Sequence, residues 1–352
     1  TVAVNATSVM VLWGAVADVK AAIASTGITT SATYDVTLTD TAVSVLDANI
    51  VDADTSGVIT ATIADRDMAT LGLLTGTGNE YTVTVADAVV SVAALTALAG
   101  KTTLEVDASA VTTLTGTAAD FVSAQAAGLY TLGGTETTTL MTTAVTLSGT
   151  PTAVDANAIA LLTGGLLTAT VAADTASNLV AALTKIGANA YTLTVVGPAS
   201  AADLLTLDGR TTVGVDISDV TEITGTQADI AAVYTGSFVG RGDEALVVTD
   251  TISAAQATTL VGLTSGVVTA TVATDAAAIL NTALTGASGG DALTLTVAVG
   301  MASALDLIAV AGQTTVAVDA LAVTLVTGTA AEVSALYALG GSDITGLGNE
   351  DV

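Results

Sequence analysis

The sequence contains neither cysteine nor histidine among its 352 residues. Without thiols no disulfide can cross-link the fold, although that absence alone does not fix a compartment. With imidazole missing too, the usual nucleophile–base pairs and soft-metal ligands are unavailable, and the chain does not read as an enzyme. Aromatic residues supply only 3% of the chain: one Trp, six Tyr and two Phe. That scarcity counts against a porin-like barrel with aromatic girdles, and against an aromatic sugar platform. Basic residues are nearly as rare, with 6 Lys plus Arg against 33 Asp plus Glu and a net charge of −27. Such a surface repels nucleic acid and anionic membrane, and nucleic-acid binding is set aside. Mean hydropathy is high at +0.76, but the stretch from Ala88 to Gly100, AVVSVAALTALAG, is already broken by Ser and Thr. A spanning helix needs about 18 or more apolar residues in a row, so no transmembrane segment is expected. No secretory leader opens the chain and Thr1 falls inside a repeat, which reads as a piece of a longer protein.

What the chain has in abundance is small apolar side chains, with hydrophobic residues at 51%. A core of Ala, Val, Leu and Ile suits regular stacking of similar layers. The clearest repeat is VDASAVTTLTGTAAD, from Val106 to Asp120. It returns as VDISDVTEITGTQAD from Val215 and as VDALAVTLVTGTAAE from Val318, with a decayed copy, VNATSVMVLWGAVAD, from Val4. These copies start 102, 109 and 103 residues apart. Other phrases keep the beat: ITATIAD at Ile59, LTATVAAD at Leu167 and VTATVATD at Val268; YTVTV at Tyr81, YTLTV at Tyr191 and LTLTV at Leu293. The chain therefore divides into a partial repeat over 1–33, full units over 34–142, 143–244 and 245–348, and the start of another at 349–352.

Each unit holds four strand-like segments in which Val, Leu, Ile or Ala alternates with Thr, the period of a strand with two unlike faces. Between them lie Ala/Leu stretches at helical spacing, such as Val90–Gly100 and Ala199–Gly209, each ending in Gly, a common helix stop. Strand, short helix, strand at this period predicts parallel strands with right-handed crossovers. The expected fold is a right-handed α/β solenoid with one continuous parallel sheet and short helices. A parallel β-helix with loops in place of helices is the alternative.

Two groups of polar residues recur. In TGTAAD, TGTQAD and TGTAAE, residues Thr117, Thr226 and Thr329 fit helix N-caps, with Asp120, Asp229 and Glu332 three positions on. Acids also recur at strand ends, Asp40 and Asp250 among them, with Asp65, Asp174 and Asp275 at one strand end and Asp107, Asp216 and Asp319 at another. If like positions stack, Asp107, Asp216, Asp319, Asp65, Asp174 and Asp275 are candidate calcium ligands, since carboxylates suit hard cations. The plainer reading is that each caps a helix or turn. No calcium-roll nonapeptide and no EF-hand spacing is present. Calcium is the only cofactor the composition suggests.

Smaller motifs carry less. Gly100-Lys101-Thr102 has the tail of a phosphate loop but follows a predicted helix instead of preceding one. Arg241-Gly242-Asp243 spells an adhesion tripeptide that the other units lack, and Asn5-Ala6-Thr7 is a lone glycosylation sequon. Paired threonines such as Thr168 and Thr170, or Thr269 and Thr271, would align as a hydroxyl ladder. Their drift between copies favours a β-forming, semi-polar face over an ice-matching one.

The phrase LTGTAAD with VDAS upstream, together with GLGNEDV from Gly346 to Val352, resembles repeats of very large secreted or cell-surface bacterial proteins. These are notably cyanobacterial and are described as haemolysin-like, surface-layer or motility-associated. The resemblance implies export and a structural or adhesive role, and supplies no binding residues. The first copy departs from the pattern with Leu12-Trp13-Gly14-Ala15, suggesting a local contact. The expected function is a structural or assembly module at the cell surface (filament, surface layer or adhesin stalk) with self-association or neighbouring repeats as partners. A calcium- or glycan-binding module is the alternative.

Overall fold

The computed structural model describes residues 3–128, 143–187 and 189–352. Alternation in sequence becomes alternation in burial. Along Val268–Val272 the three apolar side chains Val268, Ala270 and Val272 are buried while Thr269 and Thr271 face solvent. Leu167–Thr170 repeats that pattern, with Leu167 and Ala169 inside. The Ala/Leu stretches are helices, over Val92–Ala99 and Ala201–Asp208, and they bury every third or fourth residue: Val92, Leu95 and Leu98, then Ala201, Leu204 and Leu207. The fold is α/β, with several parallel sheets and short helices.

In the first compact unit, Thr1–Thr170, five strands lie side by side in chain order: Val11–Gly14, Asp35–Leu38, Ile59–Thr62, Glu80–Thr84 and Val106–Asp107. Every neighbouring pair is parallel. Strands Val89–Ser91, Thr113–Gly116, Ala144–Leu147 and Leu167–Thr170 form another parallel run. In the second unit, Val171–Val352, Thr194–Val196, Val215–Asp219 and Phe238–Val239 form one sheet. Ala199–Ser200, Glu222–Gly225, Ala245–Ile252, Val268–Val272 and Ala292–Thr294 form the next. Gly300–Ser303 with Val323–Thr327, and Val318–Asp319 with Ile344–Thr345, begin the division again.

One continuous sheet was expected, and the strands are instead shared among several. The cause is local. In the VDASAVTTLTG phrase the carboxylate of Asp107 accepts the Ser109 amide at 3.1 Å, and Val111 N–H bonds the Ala108 carbonyl. This Asx turn bends the chain, so Val106–Asp107 ends one sheet while Thr113–Gly116 belongs to the next. Asp216 with Ser218 and Asp319 with Leu321 make the same turn, each at 3.0 Å.

The glycine helix stops stand where expected. Gly100, Gly209 and Gly312 end their helices with right-handed φ of −72, −70 and −72°, not the left-handed conformation that favours glycine. The last turn tightens instead: Lys101 N–H bonds Leu98 O at 2.9 Å, and Arg210 N–H bonds Leu207 O at 2.9 Å.

A feature unforeseen in the sequence follows several of the helices. The Thr102 hydroxyl donates to Tyr81 O at 2.8 Å and accepts Tyr81 N–H at 3.0 Å. Thr55 donates to Tyr34 O, Thr211 to Tyr191 O and Thr264 to Glu244 O, each at 2.6 Å, and Thr163 donates to Thr143 O at 2.7 Å. The acceptor always lies 20 or 21 residues earlier. Each threonine thus fastens the exit of a helix to the strand one step before it. A hydroxyl serves because the backbone groups it meets are buried and would otherwise lack a partner.

Candidate functional surface

The predicted capping residues stand as expected. Thr117, Thr226 and Thr329 begin the helices Ala118–Ala126, Gln227–Thr235 and Ala330–Ala338, each accepting the backbone N–H of the acid three positions on. At Thr117 and Thr329 the acid returns a bond to the cap amide, at 2.8 Å from Asp120 and 2.7 Å from Glu332. The Thr117 amide and hydroxyl hold the Asp120 carboxyl below its ordinary range.

The six candidate calcium ligands are placed one by one against backbone amides. Asp107, Asp216 and Asp319 are the Asx-turn acceptors already described, and the Ser109 bond holds the Asp107 carboxyl below its usual value. Asp174 accepts Thr175 N–H at 2.7 Å and the Asn178 amide at 2.8 Å, while Asp275 accepts Ala276 N–H at 2.8 Å. Asp65 reaches backwards, accepting Val45 N–H at 2.7 Å. Among the described residues no three acidic groups gather as they would around a metal ion.

That backward reach recurs. Asp40 accepts Val16 N–H at 2.6 Å, Asp87 accepts Met68 N–H at 2.7 Å, and Asp250 accepts Gln227 N–H at 2.8 Å. In each case the amide is the first of a helix and the carboxylate comes from further along the chain. Such an acid satisfies an orphan donor and complements the helix dipole. The sequence marked Asp40, Asp65 and Asp250 as strand-end acids, but not the helix each one serves.

The smaller motifs are absorbed by the fold. In Arg241-Gly242-Asp243 the guanidinium donates to Val233 O and Gly236 O at the end of the preceding helix. The Gly242 and Asp243 amides both bond the buried Glu244 carboxylate. Gly348 and Asn349 bond Glu350 in the same way within Leu347-Gly348-Asn349. The tripeptide is thus one version of a loop whose backbone demands are met elsewhere without it. The equivalent glutamates also take a tyrosine hydroxyl from the preceding helix, Tyr234 to Glu244 and Tyr337 to Glu350. Burial and that bond push the Tyr234 hydroxyl well above its ordinary pKa. Lys101 sits past a helix end, and Asn5 accepts the Thr7 amide at 3.1 Å.

The threonine rows do come into register. In the first unit Ser91, Thr115, Thr146 and Thr168 are successive partners, and Thr62 pairs with Thr82. In the second unit Thr251 pairs with Thr271 and Thr271 with Thr294. Interruptions are equally plain: Thr60 meets Glu80 and Val247 meets Thr269. The result is a semi-polar outer face of hydroxyls and methyls.

No helix among the described residues is long and apolar enough to cross a membrane. Comparison with protein-family models, with curated proteins and with solved structures found no match to this chain.

Proposed function

We propose that this chain is a structural and assembly module of an extracellular bacterial surface protein, serving as a filament, surface-layer or stalk segment. Its strand–helix steps are read as successive coils of a right-handed α/β solenoid. The observation that carries this reading is where the recurrent polar side chains go. Strand-end acids, post-helix threonines and cap threonines meet backbone groups of their own or adjacent steps, so the repeated chemistry maintains the stack. A repeat protein built this way gains length by adding steps, each supported mainly by its neighbours. The −27 charge suits a salty exterior, and the missing His and Cys fit a mechanical role better than a catalytic one.

The test is electron microscopy of the purified chain, with surface labelling of intact source cells. Rods that join into filaments or a lattice, on protein reached by an impermeant label, are expected. Isolated particles at every concentration, with no labelling of intact cells, would overturn the reading.

A further inference from the structure

The repeat phrase makes one turn four times, and in one copy a different side chain closes it. Asp107, Asp216 and Asp319 close it with a carboxylate. Asn5 closes it with a carboxamide: Oδ1 accepts the Thr7 amide at 3.1 Å and the Thr7 hydroxyl at 2.7 Å. Val9 N–H then bonds Ala6 O at 2.9 Å, as Val111 N–H bonds Ala108 O at 3.0 Å in the sister turn. Such a turn needs only an acceptor oxygen, which Asp supplies as well as Asn. What the exchange adds is an amide nitrogen. Both turn bonds fall on Oδ1, and among the described residues Nδ2 has no partner.

That nitrogen is open to a large reagent. Asn5, Thr7 and Ser8 are all exposed. The openness belongs to the turn itself and does not depend on an uncovered strand. Asp216 is paired on both sides, with Thr194 and Val239, and is still half-exposed, with Ser218 exposed beside it. Asn with a hydroxyl residue two positions on, and no Pro between, is the acceptor that N-glycosyl transfer requires, and it works from an exposed loop. The sister turns cannot offer it, because a carboxylate has no nitrogen to take the sugar.

We infer that Asn5 is a modification site whose Nδ2 carries an N-linked glycan. The co-reactant is an activated glycosyl phosphate. Nδ2 bonds the anomeric carbon of the sugar, and the bond from that carbon to the phosphate oxygen breaks. The phosphate leaves with the electron pair, while one Nδ2 proton passes to a base of the transferase. The Thr7 hydroxyl and amide, both donating to Oδ1, stabilise the negative charge that gathers on that oxygen as the proton departs. Where in the cell this occurs rests on the surface reading; the chemistry of the turn does not.

Peptide mass mapping of the chain purified from its source cells should find the Asn5 peptide heavier by whole sugar residues, with fragmentation placing them on Asn5. Asn5→Asp keeps the turn in its sister form and should carry no sugar. Thr7→Ala should lose the sugar with Asn5 intact, and Thr7→Ser should retain it. Sugar on the exported chain alone marks a lipid-linked donor; sugar also on chain held in the cytoplasm marks a nucleotide-linked one. A bare Asn5 in the native protein, or sugar that persists in Thr7→Ala, overturns the inference. Bare Asn5 on chain reached by an impermeant label sinks the inference alone. Glycosylated chain that no such label reaches sinks the surface reading alone.

Discussion

The Thr314 hydroxyl grips one residue twice: it accepts the Leu293 amide at 2.9 Å and donates to the Leu293 carbonyl at 2.7 Å. It also accepts Val316 N–H at 3.1 Å. Thr→Val at this position keeps the shape and orphans a buried donor and acceptor in the neighbouring strand. A loss of about 3 kcal/mol is expected from two such groups. Urea unfolding of Thr314→Val checks it, and a cost below about 0.5 kcal/mol would reduce the bond to an ornament.

The helix-ending glycines give the opposite sign. Gly209 has right-handed φ and ψ, and a Cβ there would come no nearer than 3.6 Å to another atom. Gly209→Ala should therefore stabilise by about 0.5–1 kcal/mol, because the unfolded chain loses freedom and no strain is added. Thr117→Ala, by contrast, should cost about 1 kcal/mol. Equilibrium unfolding of the two variants side by side tests both signs.

Tyr191 is fully buried and its hydroxyl has no hydrogen-bond partner among the described residues. Burial pushes its pKa up to about 12. The folded value lies above the unfolded one, so this group's contribution is present below about pH 10 and is lost as pH rises through the folded value. Tyr191→Phe should gain about 1 kcal/mol at neutral pH and delay alkaline unfolding. A destabilised variant would mean the hydroxyl is satisfied after all.

Acid acts in two directions. The Lys20 bond lowers the Asp47 carboxyl, the Thr70 bonds lower Asp67, and the Thr117 bonds lower Asp120. Depressed carboxyls stabilise above the unfolded value of about 4 and lose that contribution as pH falls through the folded values. Diffuse repulsion among the acids weakens over the same descent toward the pI of about 4.1. The thermal midpoint should rise gently from pH 7, then drop below about pH 4. Asp120→Asn should soften the drop.

Calcium is tested at fixed ionic strength, chelator against millimolar calcium. Asp107, Asp216 and Asp319 already hold turn amides, so coincident melting midpoints are expected. A calcium-dependent rise abolished by changing all three to Asn would assign ions to them.

What the sequence disclosed was mostly what acts within three or four residues. Thr117 with Asp120 was legible because cap and acid are fixed by one helical turn, and Val268–Val272 because alternation is local. What stayed hidden acts across a step. Nothing near Thr102 says that its hydroxyl meets Tyr81, 21 residues earlier, although the Thr-Thr or Thr-Ser pairs at 55–56, 102–103, 211–212, 264–265 and 314–315 were a usable signal. The division of the sheets was hidden differently: a turn cap was the plainer reading of Asp107, but nothing local says that the turn it makes parts two sheets.

The backward reach of Asp40, Asp65, Asp87 and Asp250 sets an order of completion. Each helix start waits for a carboxylate 24, 20, 19 or 23 residues further on. A chain emerging amino end first would carry its newest helix unfinished until the next strand arrives. Maturation would trail synthesis by one strand–helix interval, and the growing tip would always be its least settled part.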